Sequence, residues 1–405
     1  MSRTPLKIPA QPPDEAPPDE ARERPVAADA ASRMAVRRLT LTDFRSYPAA
    51  RIETDLCPVV LTGPNGAGKT NLLEAVSLLV PGRGLRQARL SDLPRHGAAG
   101  PWGVAARLDT PAGPVEIGTG GDPAAPEGTE RRLVRINGAP ARGQAALAAH
   151  VSAVWLTPQM DRLFLEGAAG RRRFLDRLVY GFDADHAARV SAYENAMRQR
   201  ARLLREGPRD PSWLTALEEV MADRGVAVAA ARLDLVDRLN AAAAESAGPF
   251  PCGRARAAGT VEDWLVAAPA AAAEARFRDA LLRSRPRDGE TGGAAVGPHR
   301  SDLEVADRAR AMPAAQCSTG EQKALLIALV LAAARLQAAE RGAAPLLLFD
   351  EVAAHLDAGR RAALFEEICA LGAQAWLTGT EPDLFAPLDG RAQFFQVQDG
   401  ALTPI

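Results

Sequence analysis

Apolar and polar residues alternate from Met34 onward, and Val36–Thr42 reads as a half-buried strand. A continuous apolar run, Pro58–Thr62, predicts a second strand, and a helical pattern runs from Lys69 to about Val80, where Pro81-Gly82 stops it. Residues 97–140 are rich in Gly and Pro, with short apolar runs at Val115–Ile117 and Leu133–Ile136. Arg135-Ile136-Asn137-Gly138 reads as a hairpin turn, so this stretch predicts a small antiparallel sheet. From Arg171 to about Arg283 the period becomes helical, with Leu175, Leu178 and Val179 on one face and breaks near Pro208–Pro211 and Pro249–Gly253. A Gly-rich break at 288–298 ends that region. Strand and helix then alternate: helix 321–340, strand Leu346–Phe349, helix 358–371, strand Gln374–Thr378. That alternation predicts a mostly parallel sheet.

The 405 residues suffice for two or three domains, and 47% hydrophobic content rules out disorder of the whole chain. The division read from the pattern is a disordered tail over 1–33, an N-terminal half-lobe over 34–155, a helical domain over 156–290 and a C-terminal half-lobe over 291–405. The tail holds seven prolines, six acids and five bases, and Met34 is an alternative start for the folded part. A net charge of −1 excludes a polybasic nucleic-acid coat, so any binding to an acidic polymer falls to local patches. The four cysteines form no CxxC pair, which speaks against a zinc site or a secreted disulfide framework and for a reducing, cytoplasmic setting. No uninterrupted apolar stretch reaches the length of a membrane span. Only three residues are lysine (Lys7, Lys69 and Lys323), against 46 arginines, so each lysine asks for a reason.

Two of them sit in motifs. Gly63, Pro64, Asn65, Gly66, Ala67, Gly68, Lys69 and Thr70 fit GxxxxGK[ST] between an apolar strand and a helix. Glycines let successive N–H groups face one anion, and the helix N-terminus adds a favourable dipole. Lys69 is placed to reach terminal phosphates and the Thr70 hydroxyl to ligate Mg2+. The strand Leu346–Phe349 ends in Asp350 and Glu351. Asp350 suits the Mg2+ shell, directly or through water, and Glu351 suits a base that orients and deprotonates the attacking water. Ser318-Thr-Gly-Glu-Gln322 opens a long apolar helix beside Lys323. It reads either as an anion-binding Ser-x-Gly start or as an ordinary capping box with Glu321. Ala354-His-Leu-Asp357 and Thr378-Gly-Thr380 follow the acidic strand and the next one.

This ordered set resembles the ABC-type ATPases of chromosome maintenance and, within them, the RecF family, from about Val36 to the C-terminus. Leu41-Thr-Asp-Phe-Arg-Ser-Tyr47 resembles that family's opening strand and FR-x-Y turn, and Gly68-Lys-Thr-Asn-Leu-Leu-Glu-Ala75 its P-loop helix. Gly82-Arg-Gly-Leu-Arg86, Trp155-Leu-Thr-Pro-Gln-Met-Asp161, Arg171-Arg-Arg-Phe-Leu-Asp-Arg177 and Val296-Gly-Pro-His-Arg300 are similar to further family segments. Thr319 stands where the family usually has Gln, Lys323 where Arg is common, and Glu351 in place of a second Asp. Gln159 occupies a position where many members carry Glu.

The resemblance implies an α/β P-loop ABC-type ATPase head, a mixed sheet with flanking helices plus a small antiparallel sheet, carrying an inserted helical domain. It implies that Arg45, Asn71, Ser318, Gly320, Asp357 and Thr380 join the P-loop in binding nucleotide, and that Gln159 contacts Mg2+ and the attacking water. It further implies a slow ATPase that forms an ATP-dependent homodimer, each protomer's signature capping the other's nucleotide. Implied partners are double-stranded and gapped DNA, RecR and RecO, and indirectly RecA, in recombinational repair, replication and the SOS response, cytoplasmic and nucleoid-associated, with no membrane. Three arginine clusters offer sequence-nonspecific phosphate contacts: Arg83, Arg86, Arg89 and Arg95; Arg171, Arg172, Arg173 and Arg177; and Arg198, Arg200, Arg202 and Arg205. Each reads equally as a solvated face, and the run at Arg171 equally as a tie between the helical domain and the head. A transporter ATPase fits poorly with about 275 residues between P-loop and acidic strand. A long-armed SMC-like tether fits poorly with the short, Pro-broken helical segment. A nucleotide-gated DNA clamp with negligible turnover stays open as an alternative. His299 reads as a structural hydrogen-bonding group ahead of a catalytic base.

Overall fold

The computed structural model describes residues 33–125, 131–207, 211–244 and 248–405; the tail expected over 1–33 lies, Arg33 apart, outside the described residues. In chain order the elements are β1 (Ala35–Phe44), β2 (Tyr47–Glu53), β3 (Val59–Thr62), α1 (Lys69–Ser77), β4 (Gly103–Asp109), β5 (Val115–Gly121), β6 (Arg132–Ile136), β7 (Ala139–Pro140) and β8 (Ala153–Leu156). There follow α2 (Ala168–Tyr180), α3 (His186–Glu206), α4 (Pro211–Ala244), β9 (Gly253–Ala258), α5 (Thr260–Ala267), α6 (Ala270–Thr291), β10 (Asp302–Asp307) and β11 (Met312–Pro313). The chain closes with α7 (Thr319–Arg341), β12 (Leu346–Phe349), α8 (Ala358–Ala370), β13 (Ala375–Gly379), β14 (Gln393–Gln398) and β15 (Ala401–Pro404).

The core sheet has the order β15-β14-β3-β13-β12-β8, parallel throughout except for the β14–β15 hairpin. Its strands are apolar on both sides because both faces are covered. Leu346 and Leu348 point with Val59, Leu61, Trp155 and Trp376 toward α1 and the antiparallel sheet. Leu347 and Phe349 point with Val60, Val154 and Leu377 toward α7 and α8.

The antiparallel sheet, ordered β2-β1-β4-β5-β6-β7, takes in the opening strand as well as the 97–140 stretch. The Asn137-Gly138 turn has both residues at positive φ and pairs Ile136 with Ala139, the two-residue hairpin whose twist suits the strands. Gln374 fastens this sheet to the core sheet. Its Nε2 donates to Val36 O (2.9 Å) and Asp55 O (2.8 Å), and its Oε1 accepts from Val36 N (2.8 Å) and Trp376 Nε1 (3.1 Å).

Three sequence expectations shift. Helix α1 stops at Ser77, because Ser77 Oγ donates to Glu74 O and accepts from Leu85 N, turning the chain back early. Helix α6 continues past Pro286 and into the expected Gly-rich break. It is held there by buried Asp288, whose carboxylate accepts from Arg200, Ser284 and Ala295 N. The span 156–290 also holds a strand, β9, paired with β10 in a three-stranded sheet, and begins on Leu156, the last residue of β8.

The long helix α4 packs along α3, α6, α7 and β9 rather than projecting from the body. Helix α7 is long and apolar enough to cross a membrane by length and composition, but 72% of that window is buried in this fold. His299 is structural: Tyr193 OH donates to its Nδ1 (2.7 Å) and its Nε2 donates to Ala294 O (3.0 Å), while burial lowers its pKa to about 4.

Buried ion pairs bind the helices. Arg232 forks onto Asp176 from α4 to α2, with His186 on the same carboxylate. Burial pushes Asp176 up, but Arg232 and His186 overcome this and hold it well below the usual carboxylate range. Its stabilisation is therefore present above the ordinary carboxylate pKa near 4 and is lost as pH falls through the depressed folded value. Arg200 of α3, 1% exposed, bridges Glu218 of α4 and Asp288 of α6, both at 2.8 Å. Arg200→Met leaves buried Asp288 without its guanidinium and Glu218 with Arg285 alone, and should cost about 3–5 kcal/mol in urea unfolding; a loss below about 1 kcal/mol would mean the cluster does not hold the helices together.

Candidate nucleotide site

Parallel strands β3, β13, β12 and β8 all end on one edge of the core sheet, where open α/β sheets bind ligands. Along that edge stand, in order, the loop opening at Gly63, the segment Thr378–Thr380, the pair Asp350 and Glu351, and the turn carrying Gln159.

The Gly63–Thr70 loop depends on its glycines. Gly63, Gly66 and Gly68 have φ of 145°, 84° and 111°. A Cβ on Gly63 would lie 2.2 Å from Val397 O, and one on Gly68 would lie 2.7 Å from Tyr47 Oη. Pro64, Asn65 and Gly66 are exposed, while Ala67, Gly68 and Lys69 are buried. Lys69 Nζ donates to Gly63 O (2.7 Å) and Pro64 O (2.9 Å), so the ammonium rests across the mouth of its own loop. Burial lowers its pKa, with Glu351 and Asp350 pulling the other way.

Thr70 Oγ1 donates to Asp350, 2.9 and 3.1 Å from the two carboxylate oxygens. Thr378 Oγ1 donates to Asp350 Oδ1 (2.8 Å) and accepts from Glu351 N (2.9 Å). A hydroxyl and a carboxylate in contact are a hard-oxygen pair that fits Mg2+, a cation that keeps waters and takes further ligands from phosphates. Among the described residues no group of three or more His, Cys, Asp or Glu offers a full protein cage. Glu351 has φ 54°, a left-handed conformation rare outside Gly and Asn, which turns the chain sharply after the strand. Gln159 is exposed in the turn after β8, and Leu156 of that strand pairs with Phe349, the residue before Asp350.

Ser318 caps α7. Its Oγ accepts from Glu321 N, and its own N–H donates to Glu321 Oε2 at 2.9 Å, so the capping box is real. Bonds from the Ser318 N–H, then Arg310 and the Ser318 hydroxyl, lower the Glu321 carboxyl to about 2. Ser318, Thr319 and Gly320 are nevertheless exposed. Lys323 is buried and donates to Asp161 at 3.3 Å, tying this helix start to the turn of Gln159. That contact ties the signature to the turn after β8, and β8 itself stands three strand spacings from β3, about 14 Å at the usual separation. Asp357 caps α8 by accepting from Arg360 N (2.8 Å).

Two expected nucleotide ligands are placed differently. The Arg45 guanidinium is taken by buried Glu74 (2.8 Å twice) and Asp92 O (2.7 Å), because Glu74 sits inside α1 and needs a counter-charge. Its neighbours in the turn touch the loop instead: Tyr47 Oη donates to Gly68 O (3.1 Å), and Asn71 donates to Ser46 Oγ (2.9 Å). Thr380 is exposed past β13, and Thr378 is the residue that meets the acids. Ser46, Tyr47, Glu74 and Thr378 were not singled out from sequence as site residues, although each falls within a segment that was quoted, and Arg86 was read only as a nucleic-acid contact. Arg86 donates to Asn71 Oδ1 (2.6 Å) and Glu74 (3.3 Å).

The arginine clusters divide. Arg171 forks onto Asp302 (2.7 and 2.8 Å), Arg172 donates to Ser301 O, Arg95 pairs with Asp43, and Arg200 and Arg177 are buried. Arg83, Arg89, Arg173, Arg198 and Arg202 are exposed.

The glycine-lined loop, acidic strand end and helix-capping signature on one sheet edge define an ABC-type P-loop ATPase head. Residues 152–393 match the family described as "AAA domain, putative AbiEii toxin, Type IV TA system". The DNA replication and repair protein RecF of Mesorhizobium japonicum is 52% identical over 372 residues, 91% of this chain and 97% of that one. The chain belongs to the RecF family of DNA replication and repair proteins. In fold it is similar to the recombination mediator protein RecF-ATPrS of the RecFOR pathway (TM-score 0.78, 20% identity, 92% of this chain and 98% of that one). It is similar also to the Smc head domain with an extended coiled coil from Pyrococcus furiosus (TM-score 0.52, 18% identity, 92% of this chain and 96% of that one).

The backbone at Glu351 carries a testable cost. Glu351→Gly should raise unfolding stability by about 0.5–1 kcal/mol, since glycine accepts positive φ freely. A loss of more than about 1 kcal/mol would show that the side chain holds the turn in place.

Proposed function

We propose that this chain is an ATP-dependent DNA-binding protein of recombinational repair and replication-fork maintenance, working as an ATP-stabilised homodimer. The observation that carries the proposal is the exposed signature of α7, tied through Lys323 and Asp161 to the turn after β8, a strand three places from the P-loop strand β3. A γ-phosphate at Lys69 is out of reach of Ser318 and Gly320 in the same chain. A second copy turned face to face brings each signature over the other's loop. A ligand held by both subunits only in the dimer drives assembly by its differential binding.

In the proposed cycle the backbone N–H groups from Asn65 to Thr70, with Asn71 following, cradle the phosphates. Lys69 leaves Gly63 O and Pro64 O for the phosphate oxygens. Mg2+ held by Thr70 and Asp350 supplies charge that neutralises the β- and γ-phosphates. Gln159 reaches that site from β8, and Glu351, backed by Thr378, orients and deprotonates the water. Asp357 and Thr380 meet the seam between copies. Hydrolysis is slow and opens the dimer. Membership of the RecF family supports duplex and gapped DNA as the ligand, with RecO and RecR as partners that help load RecA at the nucleoid. The inward packing of α4 favours this reading over a long-armed tether.

Glu351→Gln should trap an ATP-bound dimer, seen as a doubled mass in light scattering; a monomer at saturating ATP would refute the glue mechanism. Ser318→Arg should block dimerisation while nucleotide affinity stays within about twofold, at a stability cost near 1 kcal/mol for the lost cap. Normal dimerisation of that variant would remove the signature from the interface.

A further inference from the structure

Four of the arginines with buried or half-buried guanidiniums have a clear counter-charge: Arg45, Arg171, Arg200 and Arg232 each fork onto or bridge carboxylates. Arg177 of α2 does not. It is 8% exposed, its guanidinium lies 3.9 Å above the Trp155 ring, and among the described residues its hydrogen bond goes to Met160 Sδ at 3.8 Å. Its Nε is buried with no partner among the described residues. Stacking on indole offsets part of the desolvation of a cation but gives an in-plane N–H nothing to donate to. Burial and the nearby Arg173 charge bring its pKa down to about 9, as expected of a cation that lacks an anion.

Arg177 lines a cavity of about 230 Å3 where α2 and α3 meet the segment after the P-loop helix. Arg173 and Arg83 line it too, both exposed and without a carboxylate partner among the described residues. Arg132 stands behind it, donating to Gly82 O (2.8 Å), Gln144 Oε1 (3.1 Å), Thr119 Oγ1 and Leu78 O, and to no carboxylate among the described residues. Two acids face the cavity. Asp176 is spent on Arg232 and His186, and Glu194 lies 3.8 Å from Arg198. The lining thus carries three guanidiniums against two carboxylates, and both carboxylates have arginine partners outside it.

We propose that this cavity is a binding site for a phosphate group, with Arg177 at its base and Arg83 and Arg173 at its rim. The volume lies below that of pockets for drug-sized ligands, about 300–1,000 Å3, so it suits a phosphoryl group and not a whole nucleotide. Planar guanidiniums are the side chains best matched to such an oxyanion. The phosphate comes either from solution or from a nucleic-acid backbone.

The test uses the full chain carrying Lys69→Ala, so that the P-loop does not contribute, titrated calorimetrically with potassium phosphate at constant ionic strength. One phosphate should bind per chain. Arg83→Ala combined with Arg173→Ala should weaken it about tenfold or more, and Arg177→Met should abolish it. Absence of binding overturns the proposal, as does binding unchanged by the rim pair. The rim pair decides alone if Arg177→Met fails to fold. A competition arm uses the wild-type chain with its P-loop filled by a non-hydrolysable ATP analogue: displacement of phosphate by a blunt duplex identifies the backbone as source, and retention of phosphate beside bound duplex identifies the free ion. Failure of the phosphate titration leaves the ATP reading intact, because the P-loop is disabled in that titration.

Discussion

Asp350 is held from two directions, and the architecture of the site follows from that. Thr70 reaches it from the P-loop helix and Thr378 from the neighbouring strand, while its own N–H donates to Leu156 O at 2.9 Å. Four segments distant in sequence are thereby fixed around one carboxylate. A carboxylate buried to 6% exposure is costly unless hydrogen-bonded, and here both hydroxyls and the strand register share the task. The same hydrogen bonds hold a hydroxyl and a carboxylate in contact, a hard-oxygen pair that fits a divalent cation.

Sheet order then sets what one copy of the chain can accomplish. With β13 and β12 lying between β3 and β8, the phosphate loop and the capped helix start share an edge without meeting. The Lys323–Asp161 contact ties the start of the signature helix to the turn of Gln159. The scarcity of lysine in this chain gives that pairing added weight, since both lysines within the described residues make contacts at this edge.

Much of this was legible in the residues, for physical reasons. The LLLF run of β12 announces a strand covered on both faces, and the Gly63–Thr70 pattern announces a loop that only glycines can form. Asn137-Gly138 announces a turn at positive φ. What escaped was governed by tertiary partners. Strand β8 is four residues long, too short for a period to speak. Helix α6 runs through Pro286 because Asp288 is anchored by Arg200, an attachment no local signal reveals. Arg45 looked like a phosphate ligand because its buried partner Glu74 lies 29 residues away on another element. The family resemblance supplied the order of the motifs; only the fold distinguished arginines that hold helices together from those left at the surface.

The position of β3 bears on how the chain is made. Both of its neighbours, β13 and β14, come from the last 31 residues, more than 300 residues downstream, and the Gln374 clamp on Val36 is equally late. At about 5–20 residues per second, synthesis leaves this fully apolar strand without its sheet for about 15–60 s. Through that interval the nascent P-loop segment presents an unpaired edge of the kind that invites aggregation. The nucleotide cradle, made well before its neighbouring strands, is therefore among the last parts of the molecule to become competent.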